Sequence, residues 1–178
     1  VTAAAKSKTY GDSDPTLTYT TDGLVGTDSL SGSLDRADGE DVDAYAINQG
    51  TLGNSNYDIT FNSADLTIGA KALTVTAAAK TKVYDSNDPV LTYSSIGLKT
   101  GDSITGDLAR ATGESVGTYA INQGTLSAGS NYSISFTSAD LTITAKTLTV
   151  TADAKTKVYD SNDPALTYSS IGLKTGDS

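Results

Sequence analysis

Leu73-Thr74-Val75-Thr76-Ala77-Ala78-Ala79 alternates apolar with polar or small side chains at period two, the signature of a β-strand with one buried face. The motif Val1-Thr2-Ala3-Ala4-Ala5-Lys6 returns as Val75 to Lys80 and, with one change, as Val150 to Lys155. In the third copy Leu148, Val150, Ala152 and Ala154 keep the inner parity, while the changed residue, Asp153, falls on the outer one. The chain therefore divides into copies at residues 1–74 and 75–149, with 150–178 as the incomplete start of a third. The two offsets are 74 and 75 residues, and the extra residue falls where Gly53-Asn54-Ser55-Asn56 becomes Ser127-Ala128-Gly129-Ser130-Asn131. A third copy that stops partway implies a longer array in the natural protein.

Other segments fit the same reading. Leu91-Thr92-Tyr93 marks a second strand, and Ile104, Gly106 and Leu108 share one face of a third. Tyr119 and Ile121 point inward from a fourth. Tyr132, Ile134 and Phe136 alternate with Ser133, Ser135 and Thr137, and the parity resets at Ser138-Ala139-Asp140 before Leu141 and Ile143. Ile96 corresponds to Asp22, which predicts an exposed position. No amphipathic stretch of helical length occurs. About six or seven short strands per ~75 residues predict an all-β fold of tandem small immunoglobulin-like β-sandwiches. The junction Thr144-Ala145-Lys146-Thr147 has no Gly or Pro, which predicts that neighbouring copies pack into a semi-rigid rod. The 150–178 segment supplies only first strands, so it is expected to be mobile alone or to pair with another copy.

Composition narrows the function. The chain has no His, Cys, Trp or Met, and carries a net charge of −9. Without Cys or His it lacks disulfides, thiolate ligands and the usual general base. An acidic chain is a poor phosphate binder, which argues against nucleic acid, and no stretch has the apolar length to insert in a membrane. The first copy has 11 acids and 4 bases, the second 6 and 5, at a constant apolar pattern. Such drift points to tolerant solvent faces and not to a charge-defined active site.

Clustered oxygens at Asp85-Ser86-Asn87-Asp88-Pro89 and Asp160-Ser161-Asn162-Asp163-Pro164 offer Asp85, Asn87, Asp88, Asp160, Asn162 and Asp163 as candidate Ca²⁺ ligands. The alternative is an Asx-type turn leading into Pro, which needs no metal. Arg110 with Glu114, like Arg36 with Glu40, reads as a clasp bracing the loop before the Tyr119 strand, not as a catalytic pair. The Tyr119 hydroxyl is placed to bond a loop carbonyl in the manner of a tyrosine corner. Tyr19 and Tyr57 match the parity of the aliphatic residues and read as packing groups more than as a sugar-stacking platform. Lys80 and Lys82 fit exposed strand positions, which argues against an isopeptide bond to Asn131. Asn131-Tyr132-Ser133 is a glycosylation sequon that the first copy lacks.

The series Lys82-x-Tyr84, Asp88-Pro89-x-Leu91-Thr92-Tyr93, Gly101-Asp102, Arg110-x-x-Gly113-Glu114, Val116-Gly117-x-Tyr119-x-Ile121-x-x-Gly124, Asn131-Tyr132 and Leu141-Thr142-Ile143 resembles the MBG-type repeats (YGX subtype) of large bacterial surface and secreted adhesins. Tyr10-Gly11 carries the name-giving pair, replaced by Tyr84-Asp85 and Tyr159-Asp160 in the later copies. The resemblance covers the whole chain. It implies an extracellular, cell-surface location and a non-enzymatic stalk or spacer role in an adhesin or biofilm-matrix filament, and it leaves a β-grasp-like repeat open beside the sandwich. The alternative function is a carbohydrate- or protein-binding module acting by avidity. The expected partners are neighbouring repeats of the same chain. Self-association into filaments and extracellular polysaccharide stay open beside them.

Overall fold

The structure, a computed structural model, describes residues 1–177; Ser178, the last residue assigned to the third copy, lies outside the described residues. Among the described residues there are fifteen strands and no helix, so the all-β expectation holds. The first copy contributes β1 (Thr2–Ala3), β2 (Lys6–Thr9), β3 (Tyr19–Thr20), β4 (Asp35–Arg36), β5 (Ala44–Asn48) and β6 (Ala64–Gly69). β7 (Lys71–Ala77) crosses from the first copy into the second, and the second contributes β8 (Lys80–Val83), β9 (Tyr93–Ile96), β10 (Ala109–Arg110), β11 (Gly117–Asn122), β12 (Tyr132–Thr137) and β13 (Ala139–Thr144). The third copy's opening forms β14 (Thr149–Ala152) and β15 (Tyr168–Ile171), an antiparallel pair.

Each full copy closes by pairing its first strand with its last in parallel. In the second copy β7 runs beside β12 from Lys71↔Tyr132 to Thr76↔Thr137, and β8 runs beside β13 from Lys80↔Leu141 to Val83↔Thr144. The breaks at Ala78-Ala79 and at Ser138 separate the strands of the sheet β12-β7-β9 from those of the sheet β10-β11-β13-β8. Ser138 is where the parity was expected to reset, and it does. Phe136 faces inward before it, and Leu141 and Ile143 after it. A second reset at Ala78-Ala79 was not foreseen. Ala77 is buried and Ala79 exposed, so Lys82 turns inward, 8 % exposed, while Val83 faces out. The assignment of Lys82 to the exposed face is thereby corrected.

The buried aliphatic residues repeat. Ile47, Leu66 and Ile68 on β5 and β6 correspond to Ile121, Leu141 and Ile143 on β11 and β13, all essentially inaccessible. Leu73 and Val75 on β7 are fully buried as well. Each such side chain contributes about 1.5–3 kcal/mol on burial. In the first copy Ala3, Ile47 and Leu66 form a cluster over which Leu17, Leu34, Phe61 and Ala64 pack. Ile96 is exposed, as its counterpart Asp22 predicted.

Two expected strands differ. The Leu91-Thr92-Tyr93 strand begins later, at Tyr93. The Ile104–Leu108 segment makes only an isolated bridge, Thr105 to Ser127. There the Asp107 amide donates to the Thr125 hydroxyl instead of a carbonyl, which interrupts the ladder after one rung.

Two compact units emerge, and they are offset from the sequence copies. The first joins Val1–Thr76 with Ser94–Asp107 and Thr125–Thr137. The second joins Ala77–Tyr93, Leu108–Gly124 and the chain from Ser138 onward. The smaller part of the second copy thus folds with the first copy, and the larger part with the start of the third.

Candidate functional site

The parity reset at Ala78-Ala79 aims the Lys82 ammonium from β8 at two carboxylates. Nζ donates to Asp88 Oδ1 at 2.6 Å and to Glu114 Oε2 at 2.5 Å. From β10, Arg110 Nε donates to Asp88 Oδ2 at 2.6 Å, and its Nη2 donates to Glu114 Oε1 and, at 3.2 Å, to Asp88 Oδ1. Arg110 Nη1 meanwhile donates to the carbonyls of Ala111 and Gly113 at 2.9 and 2.6 Å. Two cations and two anions therefore neutralise each other in one ring. The first copy reproduces it with Lys8, Asp14, Arg36 and Glu40. The third copy retains the pair Lys157–Asp163 at 2.6 Å.

The electrostatics oppose reactivity. Hydrogen bonds from Arg110, then Lys82, hold Asp88 below the ordinary carboxylate range, and those from Lys82, then Arg110, do the same to Glu114. Asp88 and then Glu114 push Lys82 upward. An amine kept protonated beside carboxylates kept ionised is neither a nucleophile nor an acylating partner. Asn131, the residue weighed as an isopeptide partner of Lys82, is engaged elsewhere, donating to Asp41 and accepting from the Val42 amide.

The expected arginine clasp and tyrosine corner are both present. The Tyr119 hydroxyl donates to the Ser115 carbonyl at 2.8 Å, and Tyr45 repeats this on Asp41 at 3.0 Å. Arg110 lies 5.5 Å from the centre of the Tyr119 ring. Gly113 makes this possible: at φ 140° it lets the ring in, and a Cβ there would sit 2.1 Å from Tyr119 Cε1.

The candidate calcium ligands lie on the same loops, facing the chain's own cations. Asp88 is held as above, Asp85 Oδ2 accepts from Lys146 at 2.7 Å, and Asp163 pairs with Lys157. Asn87 and Asn162 are exposed. Asp85 and Asp160 adopt left-handed backbone, φ 70° and 64°, at the position Gly11 fills in the first copy at φ 82°. Asp tolerates that region better than most residues, so the motif's Gly and Asp variants build the same turn. Among the described residues no three acidic side chains converge as a cation cage. A divalent ion at Asp88 would have to displace Lys82 and Arg110.

A second cluster was missed from the sequence. Inside the first compact unit, Asp102 Oδ2 accepts the Tyr132 hydroxyl at 2.5 Å and the Tyr10 hydroxyl at 3.0 Å. Tyr132 also accepts the Lys99 amide at 3.0 Å. The Tyr10 and Tyr132 rings meet edge to face at 5.5 Å, and the Lys99 ammonium stands 4.9 Å above the Tyr10 ring. Tyr10 belongs to the first copy and the others to the second, so one carboxylate joins consecutive copies. The Tyr132 hydrogen bond, then that of Tyr10, holds Asp102 below its ordinary range, and Asp102 raises Tyr10. The next junction repeats the clasp, with Tyr84 donating to Asp177 at 3.0 Å under Lys174 at 4.9 Å. The available signal was the recurrence of Lys-x-Gly-Asp at a fixed distance from the motif tyrosine.

Parallel closure, an ion-paired inward lysine and a tyrosine clasp at each junction define a tandem array of interlocked all-β repeats. The MBG domain family (YGX type) matches residues 1–67, 73–142 and 148–178, and the chain belongs to that family as three tandem repeats. The family is a repeat module of large surface proteins. No curated protein and no solved structure matches the chain.

Proposed function

We propose that the chain is a non-enzymatic spacer of an extracellular bacterial surface protein, an adhesin or a biofilm-matrix filament, whose repeats hold a functional region away from the cell. The observation that carries this reading is where the polar chemistry goes. Lys82, Arg110, Asp88 and Glu114 neutralise one another within a copy, and Tyr10, Lys99, Asp102 and Tyr132 join one copy to the next. Groups used in this way fix a geometry and leave no matched acid, base and nucleophile for catalysis. The family's use as a repeat module of large surface proteins supports the location.

Small-angle scattering on chains of two, four and six repeats tests the proposal. A spacer predicts a maximum dimension that grows in proportion to repeat number. A dimension that levels off, or glycan-array binding whose affinity climbs with repeat number, would replace the spacer reading with that of an adhesive module acting by avidity.

A further inference from the structure

Consecutive copies meet through two phenols that share one acceptor. Tyr10 of the first copy and Tyr132 of the second both donate to Asp102 Oδ2, at 3.0 and 2.5 Å. Their rings meet edge to face, with centres 5.5 Å apart and planes at 74°. An edge-to-face contact alone leaves the hydroxyls free to diverge. Here the common oxygen draws both hydroxyl ends to one point, and with them the ortho carbons, each one bond from a hydroxyl-bearing carbon. Among the described residues no other two tyrosine rings are in contact, although the chain has ten tyrosines. Both residues are buried, 7 and 8 % exposed, which holds each ring against the other and keeps a ring from another molecule out.

The surroundings favour loss of an electron and a proton together. The hydrogen bond from Tyr132, then that from Tyr10, holds Asp102 below the ordinary carboxylate range, so an ionised base already touches both phenols. The Lys99 ammonium acts the other way. It stands 4.9 Å from the centre of the Tyr10 ring and opposes a positive charge there, so the electron leaves only as the proton does.

We propose that Tyr10 and Tyr132 form an oxidative cross-linking site, at which the two rings couple through their ortho carbons into a dityrosine that joins one copy covalently to the next. The co-reactant is hydrogen peroxide turned over by a haem peroxidase, which takes one electron from each phenol. Each phenol releases its proton by way of Asp102. The two ring radicals join by one carbon–carbon bond, and the hydrogen on each joined carbon moves to its oxygen to restore the phenol. The chain loses two electrons and two protons, and the peroxide takes them up to become two waters. The positions belong to the repeat, since Tyr84 and Tyr159 match Tyr10, and Tyr57 matches Tyr132. The site rests on the contact between copies and not on the spacer role.

The test irradiates the whole chain with tris(bipyridine)ruthenium(II) and persulfate, a one-electron oxidant in place of the peroxidase, and digests the monomeric product with trypsin. Peptides 9–36 and 111–146 should emerge joined, two hydrogens lighter than the separate pair, with fragmentation placing the link at Tyr10 and Tyr132. Tyr10→Phe and Tyr132→Phe, which keep the rings, should each abolish that product. Asp102→Asn keeps an acceptor oxygen but is no base, and should lower the yield about tenfold. Lys99→Met, which leaves the hydrogen bonds to Asp102 in place, should raise it. The linked chain should also unfold at higher urea concentration, because the segment closed between residues 10 and 132 has less freedom when unfolded. Links spread over other tyrosines, with no excess at Tyr10 and Tyr132, overturn the site. A yield unchanged by both Asp102→Asn and Lys99→Met overturns the part given to the carboxylate and the cation. Neither result bears on how far the array reaches, so this proposal and the spacer reading can fail separately.

Discussion

At the residue scale, two positions show how one demand is met by different side chains. The turn after the motif tyrosine needs left-handed backbone, supplied by Gly11 in the first copy and by Asp85 and Asp160 in the others. Asp85→Ala should cost about 1 kcal/mol, the left-handed penalty for a residue with a Cβ, while Asp85→Gly should be close to neutral; urea denaturation distinguishes them. The Lys82 ring predicts a pH profile. Asp88 and Glu114 are held low, so on acidification the unfolded chain takes up protons first. The ring's contribution is therefore complete above about pH 5 and is lost as pH falls below about 4. Lys82 is raised, so its own contribution is present at neutral pH and lost only above about pH 10. Lys82→Met should lower the denaturation midpoint at pH 7 and flatten the acid limb; an equally steep limb would refute the ring's role. The sequence offered the tyrosine corner and the Arg110–Glu114 clasp plainly, because both are local. It hid the burial of Lys82, because that depends on a backbone break at Ala78-Ala79 between two small residues that read equally well as strand.

At the element scale, the loop between β10 and β11 is organised by close contact and not by its own ladder. Arg110 spans two carboxylates and two carbonyls, and Tyr119 folds over Gly113. Gly113→Ala should destabilise by about 3 kcal/mol, the upper range for overpacking, and pairing it with Tyr119→Ala should recover part of the loss by removing the ring it strikes. Because Lys82 and Arg110 already occupy Asp88, millimolar Ca²⁺ should leave the melting temperature unchanged; a calcium-dependent rise reversed by chelator would make the loop oxygens ligands after all. Strands with period-two patterns, such as those around Val75 and Leu141, were legible from their alternation. The segment from Ile104 to Leu108 alternates equally well yet forms only one rung, since a threonine hydroxyl takes the place of a carbonyl there. Alternation reports burial, and ladder bonds depend on what lies opposite.

At the scale of the whole molecule, the unit that repeats in the sequence is not the unit that packs. Periodicity shows where copies begin, but nothing in it shows that residues 94–107 and 125–137 of the second copy fold with the first. That grouping comes from long-range pairing, above all β7 with β12, and from the carboxylate of Asp102. Leu73→Ala, nominally at the edge of a copy, should therefore cost about 3 kcal/mol and increase hydrogen exchange at Tyr10 and around β12 together. A chain of residues 1–74 should have a lower urea midpoint than the same residues within the array, because it lacks the β12 partner of Leu73. The parallel closure of each copy has a mechanical consequence. Tension that draws β7 against β12 along their length loads the rungs from Lys71 to Thr76 in shear and does not unzip them singly, and within the other compact unit β8 against β13 loads those from Lys80 to Val83 in the same way. Survival under pull is set by an unfolding rate, and this geometry slows that rate without any cross-link in a chain that has no cysteine.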